Sequence, residues 1–357
     1  MTSSASWTFA VLREDLDESV LSESGDSPSP GAGEVVLRVD RVGLTANNVT
    51  YAVLGSAMRY WEFFPPGPRG LGPEWGLPPL WGFADVVASR APGVLEGQRV
   101  YGYLPPASDL LVRASRVDGT GFHDASPHRA ALPSPYNSYR LTTGDPAYRH
   151  DQEDLMILLR PLFFTSFMLA DYLADNAFFG ASTLIVSSAS SKTAYAAALE
   201  LHGRGPRLIG LTSPGNVAFT SSLGCYDLVL PYDADLGEAG PSVYLDLSGS
   251  PATRTGLRAR LGSSLVRDVA VGLTTQVSNV DAADELFFAP VQMRKRRHDW
   301  GRDELDRRFA SAWHRFIDAA GGRLTVEVGN GPEGLRSAWS DVLAGRVPPA
   351  VGRVVQL

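Results

Sequence analysis

The chain is 357 residues long, 44% hydrophobic and 20% charged, which fits two globular domains of about 150 residues and argues against disorder. A net charge of -7 argues against a broad basic surface for nucleic acid. Cys225, the single cysteine, excludes an internal disulfide or a cysteine-rich zinc site and fits a cytoplasmic location. No apolar run approaches the roughly 18 residues of a membrane span, and Met1–Ser6 lacks the basic and apolar regions of a secretory signal.

Trp7–Val11 and Glu34–Val42 read as strands, the second alternating apolar and polar residues as a half-buried strand does. Ser22–Gly33, rich in Ser, Pro, Gly and Asp, reads as a loop. Tyr60–Trp81 is too dense in proline for a helix, and its aromatics suggest a loop packed over a cleft. Ala84–Ala88 and Gln98–Leu104 complete a short-strand pattern that suggests a small β-barrel.

The pattern changes near Asp154. Leu155–Leu159 and Phe163–Leu173 read as helix broken at Pro161. Strands at Thr183–Ser188, Arg207–Leu211, Asp227–Leu230, Val243–Leu247 and Leu265–Val271 then alternate with helices at Lys192–Leu201, Asn216–Leu223 and Thr253–Leu261. Such alternation implies parallel βαβ units and a doubly wound, Rossmann-like sheet over residues 155–290. Leu286–Pro290 reads as its last strand. Leu305, Phe309, Ala312 and Phe316 mark a helix over Asp303–Ala319, ended by Gly321 and Gly322. Short strands at Leu324–Val328 and Gly352–Leu357 flank a helix at Gly334–Leu343. The expected division is therefore a barrel domain from residues 1–154 and 291–357, with a cleft against the inserted sheet.

In a dinucleotide-binding fold the first strand enters a glycine-rich turn, and the following helix N-terminus holds the pyrophosphate. Here TLIVSS leads through ASSKTA into YAAALEL, but the glycine positions hold Ala189, Ser191 and Ala194. Ser188, Thr193 and Lys192 complete the turn, with Lys192 either a cation against phosphate or a solvated surface charge. NAD-binding folds carry an acid after the second strand. This chain has GLTSPGN, where Ser213, Asn216 and Arg207 suit a 2′-phosphate, so NADPH is favoured if a cofactor binds.

At this point the chain resembles the medium-chain dehydrogenase/reductase superfamily on its zinc-free, quinone-oxidoreductase-like side. VLEGQRVYGYLP resembles the family's segment ending in G-D-R-V-Y-G, SSLGCYDLVLPYD its L-G-A-D-x-V-I-x-Y, and GRVVQL its closing G-K-V-V-L. TLIVSSASSKTAYAAALEL and VYLDLSGS resemble its first strand–turn–helix and its fourth strand. RPLFFTSFMLADYL and ELFFAPVQMRKRRHDWG look closer to the DUF2855 branch. The resemblance implies a GroES-like β-barrel domain with an inserted Rossmann-like sheet, and hydride transfer from NADPH to a conjugated carbonyl or quinone.

Where zinc-dependent members place a cysteine, TANNVTY holds Asn47, and no histidine pair has metal spacing, so no metal is expected. The family position offers Asn47 and Tyr51 as donors to a developing enolate, with a turn cap and a packed ring as the structural alternatives. Thr165 aligns with a threonine near the nicotinamide, or bonds back to its own helix. For an apolar substrate, ring-containing or acyl, the candidates are Trp61, Phe63, Phe64, Trp75 and Trp81 on a lid-like loop. Tyr136, Asn137, Tyr139 and Arg140 follow in PSPYNSYRLT. Arg294, Lys295, Arg296, Arg297 and His298 form a basic cluster, either solvated or recognising an anionic coenzyme A or carrier-protein tail. An apolar last strand would be an exposed edge unless paired, so a homodimer is expected.

Two other readings stay open: a cofactor-free lyase, isomerase or condensing enzyme with a degenerate nucleotide turn, and a binding or scaffold protein.

Overall fold

Alternating residues carry the middle of the barrel, as expected, although several of its partner strands lack that pattern. The computed structural model describes residues 6–271 and 285–357 and divides into two units, Met1–Leu158 with Thr325–Leu357, and Leu159–Leu324.

The first unit begins with β1 (Ser6–Leu12), β2 (Asp15–Ser24), β3 (Glu34–Leu44), α1 (Ala46–Val53), β4 (Trp75–Gly76), β5 (Leu80–Ser89) and β6 (Arg99–Leu104). Next come β7 (Asp109–Asp118), β8 (Gly121–Asp124), β9 (Ser138–Leu141) and the start of α2 (Glu153–Asp175). The second unit adds β10 (Thr183–Val186), α3 (Lys192–Leu201), β11 (Arg207–Thr212), α4 (Val217–Ser222), β12 (Leu228–Pro231) and β13 (Ser242–Asp246). It continues through α5 (Pro251–Leu261), β14 (Leu265–Val271), β15 (Glu285–Phe287), α6 (Ala289–Trp300) and α7 (Arg302–Ala320). The chain returns to the first unit with β16 (Thr325–Asn330), α8 (Gly331–Leu343) and β17 (Val351–Gln356).

In the first unit an eight-stranded sheet runs β16-β17-β3-β5-β6-β9-β8-β7, and a β3–β7 pairing closes it into a barrel. All its pairs are antiparallel except β16–β17. Along β3, Val35, Leu37 and Val39 enter the barrel core, while on the other face Val36 is buried outside that core and Arg38 is exposed. A separate β2-β1-β4 sheet lies beside the barrel.

The Tyr60–Trp81 loop differs from the lid expected of it. Trp61, Phe63, Phe64 and Leu77 belong to the barrel core. Buried Asp109 pairs with Arg69 at 3.0 Å, and Arg13 Nε donates to the Trp75 carbonyl at 3.0 Å. A loop that buries its rings and anchors its polar groups is a fixed wall.

In the second unit the six strands are all parallel, in the order β12-β11-β10-β13-β14-β15. Counted along the chain this is 3-2-1-4-5-6, the Rossmann order, with its switch point between β10 and β13. The expected helix break at Pro161 is absent: α2 runs through it. Proline removes one backbone donor, while Phe163 packs on Phe316 at 4.7 Å and on Trp313 at 5.5 Å, which holds the helix together. That packing also explains why residues 291–324 lie with the Rossmann-like unit and the return to the barrel comes at 325 instead of 291. Unbroken, His150–Asp175 is apolar and long enough to cross a membrane by length and composition, which the sequence reading did not find. Phe163, Met168, Leu169 and Leu173 are nevertheless buried within this unit. The last strand stops at Phe287, and Ala289 and Pro290 open α6, because proline suits the first turn of a helix.

Candidate functional site

Two polar constellations stand out, one in each unit. In the first, α1 starts at a capping box in which the Thr45 hydroxyl accepts the Asn47 amide and the Asn48 side chain accepts the Thr45 amide. Asn48 Nδ2 also donates to the Pro79 carbonyl at 3.0 Å, pinning α1 to the start of β5. Asn47 and Tyr51, four residues apart, therefore share one side of the helix.

Trp81 Nε1 donates to Tyr51 Oη at 3.3 Å, and Asn47 and Tyr136 are further hydrogen-bonding neighbours of that hydroxyl. Ring centroids lie 4.6 Å apart for Tyr51–Tyr60, 5.6 Å for Tyr51–Tyr103 and 4.8 Å for Tyr103–Tyr136. Trp81 and Tyr103 are direct cross-strand partners with centroids 5.1 Å apart. Burial raises the pKa of all four phenols above the ordinary range, so they remain neutral donors near neutral pH. Behind them, the buried pair Arg129–Asp124 at 3.1 Å sets a guanidinium 4.7 Å from the Phe64 ring. The arrangement offers planar walls and uncharged O–H and N–H donors, which suits a ligand carrying a carbonyl oxygen.

The structure thus brings together Asn47, Tyr51, Trp81 and Tyr136, with Phe63 and Phe64 at the margin. It does not bring in the other candidates. Trp61 is buried against Gly55 and Gly76, and Trp75 lines the loop base. Asn137 Nδ2 donates to the Arg129 carbonyl, Tyr139 donates to the Tyr103 carbonyl at 3.0 Å, and Arg140 pairs with Asp145. Tyr60 and Tyr103 were missed. The signal for Tyr103 was available on β6, where Tyr101 and Tyr103 alternate onto one face.

In the second unit the turn between β10 and α3 lies at the switch point. Ser188 takes a left-handed φ of 49°, the conformation for which glycine is favoured, and its N–H donates to Tyr232 Oη at 2.8 Å. Ser191 is the helix N-cap, its hydroxyl accepting the Ala194 amide. The buried Ser190 hydroxyl accepts from Thr212 Oγ1 at 3.2 Å and from Asn216 Nδ2 at 3.3 Å, tying the turn to the end of β11. The alanines meet close neighbours: Ala189 donates to Leu211, accepts from Tyr226 Oη and packs against Gly210.

Lys192 opens α3, and burial pushes its ammonium down to about 8. Thr193 accepts the Ser166 hydroxyl at 2.7 Å, one residue from half-buried Thr165. Across the switch point Ser187 Oγ donates to Asp246 Oδ1 at 3.0 Å, and Arg254 neutralises Asp246 at 2.8 Å.

Several expectations need correction here. Asn216 holds Ser190, so its amide is engaged in building the turn, while Ser213 is exposed at the end of β11. Arg207 begins β11 and so lies at the opposite end of the six-residue strand, about 16 Å from the turn. The basic cluster lies on α6. Lys295 pairs with Asp175 and Asp299, and Arg296 with Asp171, Asp175 and Asp299, while Arg294, Arg297 and His298 are exposed. Half of its charge is thereby spent on anchoring α6 to α2.

The turn fits a nucleotide phosphate on three counts. Its backbone adopts the glycine conformation without glycine, the first helical turn presents amides and a cation, and the segment from Arg207 to Asn216 contains no carboxylate.

Solved structures share this fold over essentially the whole chain. A Vibrio vulnificus CurA in complex with NADPH matches with a TM-score of 0.62 at 14% identity, covering 98% of each chain. A putative NADPH:quinone reductase from Mesorhizobium loti matches with 0.59 at 15% identity, covering 100% of each. The Salmonella enterica yhdH oxidoreductase in complex with NADP matches with 0.51 at 15% identity, covering 98% of this chain and 99% of the other. No curated protein matches the chain. The fold is that of the medium-chain dehydrogenase/reductases. A family model described as "Protein of unknown function (DUF2855)" matches residues 42–348, and the chain belongs to that family.

Proposed function

We propose that the protein is an NADPH-dependent reductase of a conjugated carbonyl or quinone-type substrate, working without a metal. The observation that carries this reading is the β10–α3 turn, which keeps the nucleotide-receiving backbone with Lys192 beside it and no carboxylate after β11. NADPH and NADP in relatives of the same fold support it. The amides of the first turn of α3, Lys192 and the exposed Ser213 would hold the phosphates. The bound nicotinamide would supply the hydride.

The chain's own residues orient the substrate and stabilise charge. In an enone the β-carbon gains the hydride and the π electrons move to the carbonyl oxygen. Tyr51 and Asn47 donate hydrogen bonds to that oxygen as it becomes an enolate, and solvent returns a proton at the α-carbon. Neutral phenols at physiological pH favour a neutral, planar substrate over an anionic one.

Titration calorimetry with NADPH and NADH tests the reading, followed by NADPH oxidation with a panel of enones and quinones. NADPH is expected to bind more tightly, and at least one compound to be reduced. Absence of heat with both nucleotides would overturn the redox reading in favour of a cofactor-free enzyme or scaffold.

We also propose a homodimer. β15 ends the parallel sheet, and Leu286, Phe288 and Val291 are 39%, 51% and 54% exposed. Pairing β15 with its two-fold mate would cover them. Light scattering should give a dimer at micromolar concentration, and Phe288→Asp should give a monomer.

A further inference from the structure

Tyr103 is fully buried, and its hydroxyl has no hydrogen-bonding partner among the described residues. Such a group destabilises the fold, because its bonds to water are lost and nothing replaces them. Its surroundings explain why. Tyr51, Phe63, Phe64, Trp81 and Tyr136 pack around it with centroids 4.8–6.1 Å away, so most of its contacts are ring carbons. The ring is also fixed, since it is a cross-strand partner of Trp81 and its carbonyl accepts from Tyr139.

The next phenol has the complementary property. An indole N–H can only donate, so Tyr51 Oη is the acceptor of the 3.3 Å bond from Trp81, and the Tyr51 proton is left for its neighbours Asn47 and Tyr136 or for a ligand oxygen that replaces them. Two phenols with rings 5.6 Å apart, edge to face, thus each have a proton to give. What Tyr103 lacks is an acceptor oxygen.

We propose that Tyr103 is a further donor of the substrate site, bonding beside Tyr51 and Asn47 to the carbonyl oxygen of the substrate. This rests on the reductase reading for the identity of the reaction. Half-buried Tyr60 and Tyr136 form the outer layer, and Tyr136 sits on the Ser134–Asn137 turn next to exposed Pro133 and Pro135. The substrate reaches Tyr103 by displacing the Tyr136 ring.

The test is Tyr103→Phe in the full chain, with two independent readouts. Without ligand, its melting temperature should match or exceed that of the parent, because an unpartnered hydroxyl has been removed. With a compound that the parent reduces, kcat should fall about 100-fold. A clear drop in melting temperature would show a hydroxyl already satisfied inside the fold, and unchanged kcat would show a hydroxyl the substrate never meets; either result overturns the proposal. A third measurement separates it from the reductase reading. If the parent reduces no enone or quinone, the carbonyl stretch of added 2-cyclohexenone is recorded by infrared difference spectroscopy. A red shift with the parent that disappears in Tyr103→Phe keeps the donor pair and discards the reaction. No shift with the parent discards the donor pair as well.

Discussion

The two constellations are built on opposite principles. In the barrel unit the candidate site is a layer of large side chains, Tyr51, Tyr60, Trp81, Tyr103 and Tyr136, carried on a closed sheet and a capped helix. In the Rossmann-like unit it is a stretch of backbone, bent at Ser188 and kept slim by Ala189 and Ala194. Functional groups in the first lie at the ends of side chains, so a single atom can be removed without moving the frame. In the second the frame is the functional group, and a substitution acts by changing the path of the chain.

The contrast is broken most forcefully in the aromatic layer. Tyr51→Phe removes one oxygen and should lower kcat by about 100-fold or more with any substrate found, while the fold is retained. Asn47→Ala should lower it at least about tenfold. If neither does so, the side-chain principle fails for this layer.

An intermediate effect is expected at Lys192, the charged side chain that opens α3. Lys192→Ala should weaken NADPH binding by about 1.5–3 kcal/mol in calorimetry. The parent should also show a pH dependence with a definite sign. Phosphate needs the charged ammonium, so affinity is full well below about 8 and declines as pH rises through that value. The decline should vanish in Lys192→Ala.

A smaller effect sharpens the contrast within the turn itself. Ser188 is held left-handed by its bond to Tyr232. Tyr232→Phe should lower stability by about 1 kcal/mol in urea unfolding. Ser188→Gly should raise it by a similar amount, since glycine adopts that φ without strain. The double variant should be more stable than additivity requires, because glycine no longer needs the clamp. Strict additivity would mean that Tyr232 does not hold the bend.

Legibility followed the same division. The βαβ half could be read because local signals set its elements. Ser191 caps α3, and the apolar stretch ending at Leu201 makes the helix start and stop where the pattern does. Much of the barrel could not, because its pairings are non-local. The acidic β2 is a strand only through its pairing with β1, and β7, β8 and β9 are defined by one another across the sheet. For the site, a single position such as Asn47 or Tyr51 was recoverable from a motif. The company it keeps was not: Tyr103 joins through a cross-strand register, and Trp61 leaves for the core because Gly55 and Gly76 give its ring a slot. Residue type alone cannot separate a tryptophan that fills a core from one that faces a ligand.

Gly210 shows what happens when a turn gives up its glycines. A Cβ at this position would lie 2.9 Å from the Ala189 Cβ and 3.0 Å from the Tyr226 ring. The methyl group that the turn accepted at 189 has thus been matched by hydrogen on the neighbouring strand. The requirement for smallness is shared by positions 189 and 210 with the Tyr226 ring as the third wall, so 189 and 210 should covary where residue 226 leaves room. A column-by-column comparison of this turn with glycine-rich relatives would score a loss at 189, whereas a comparison of paired columns would score a transfer. Lineages that carry glycine at 189 and a smaller side chain at 226 should be the ones free to place alanine at 210.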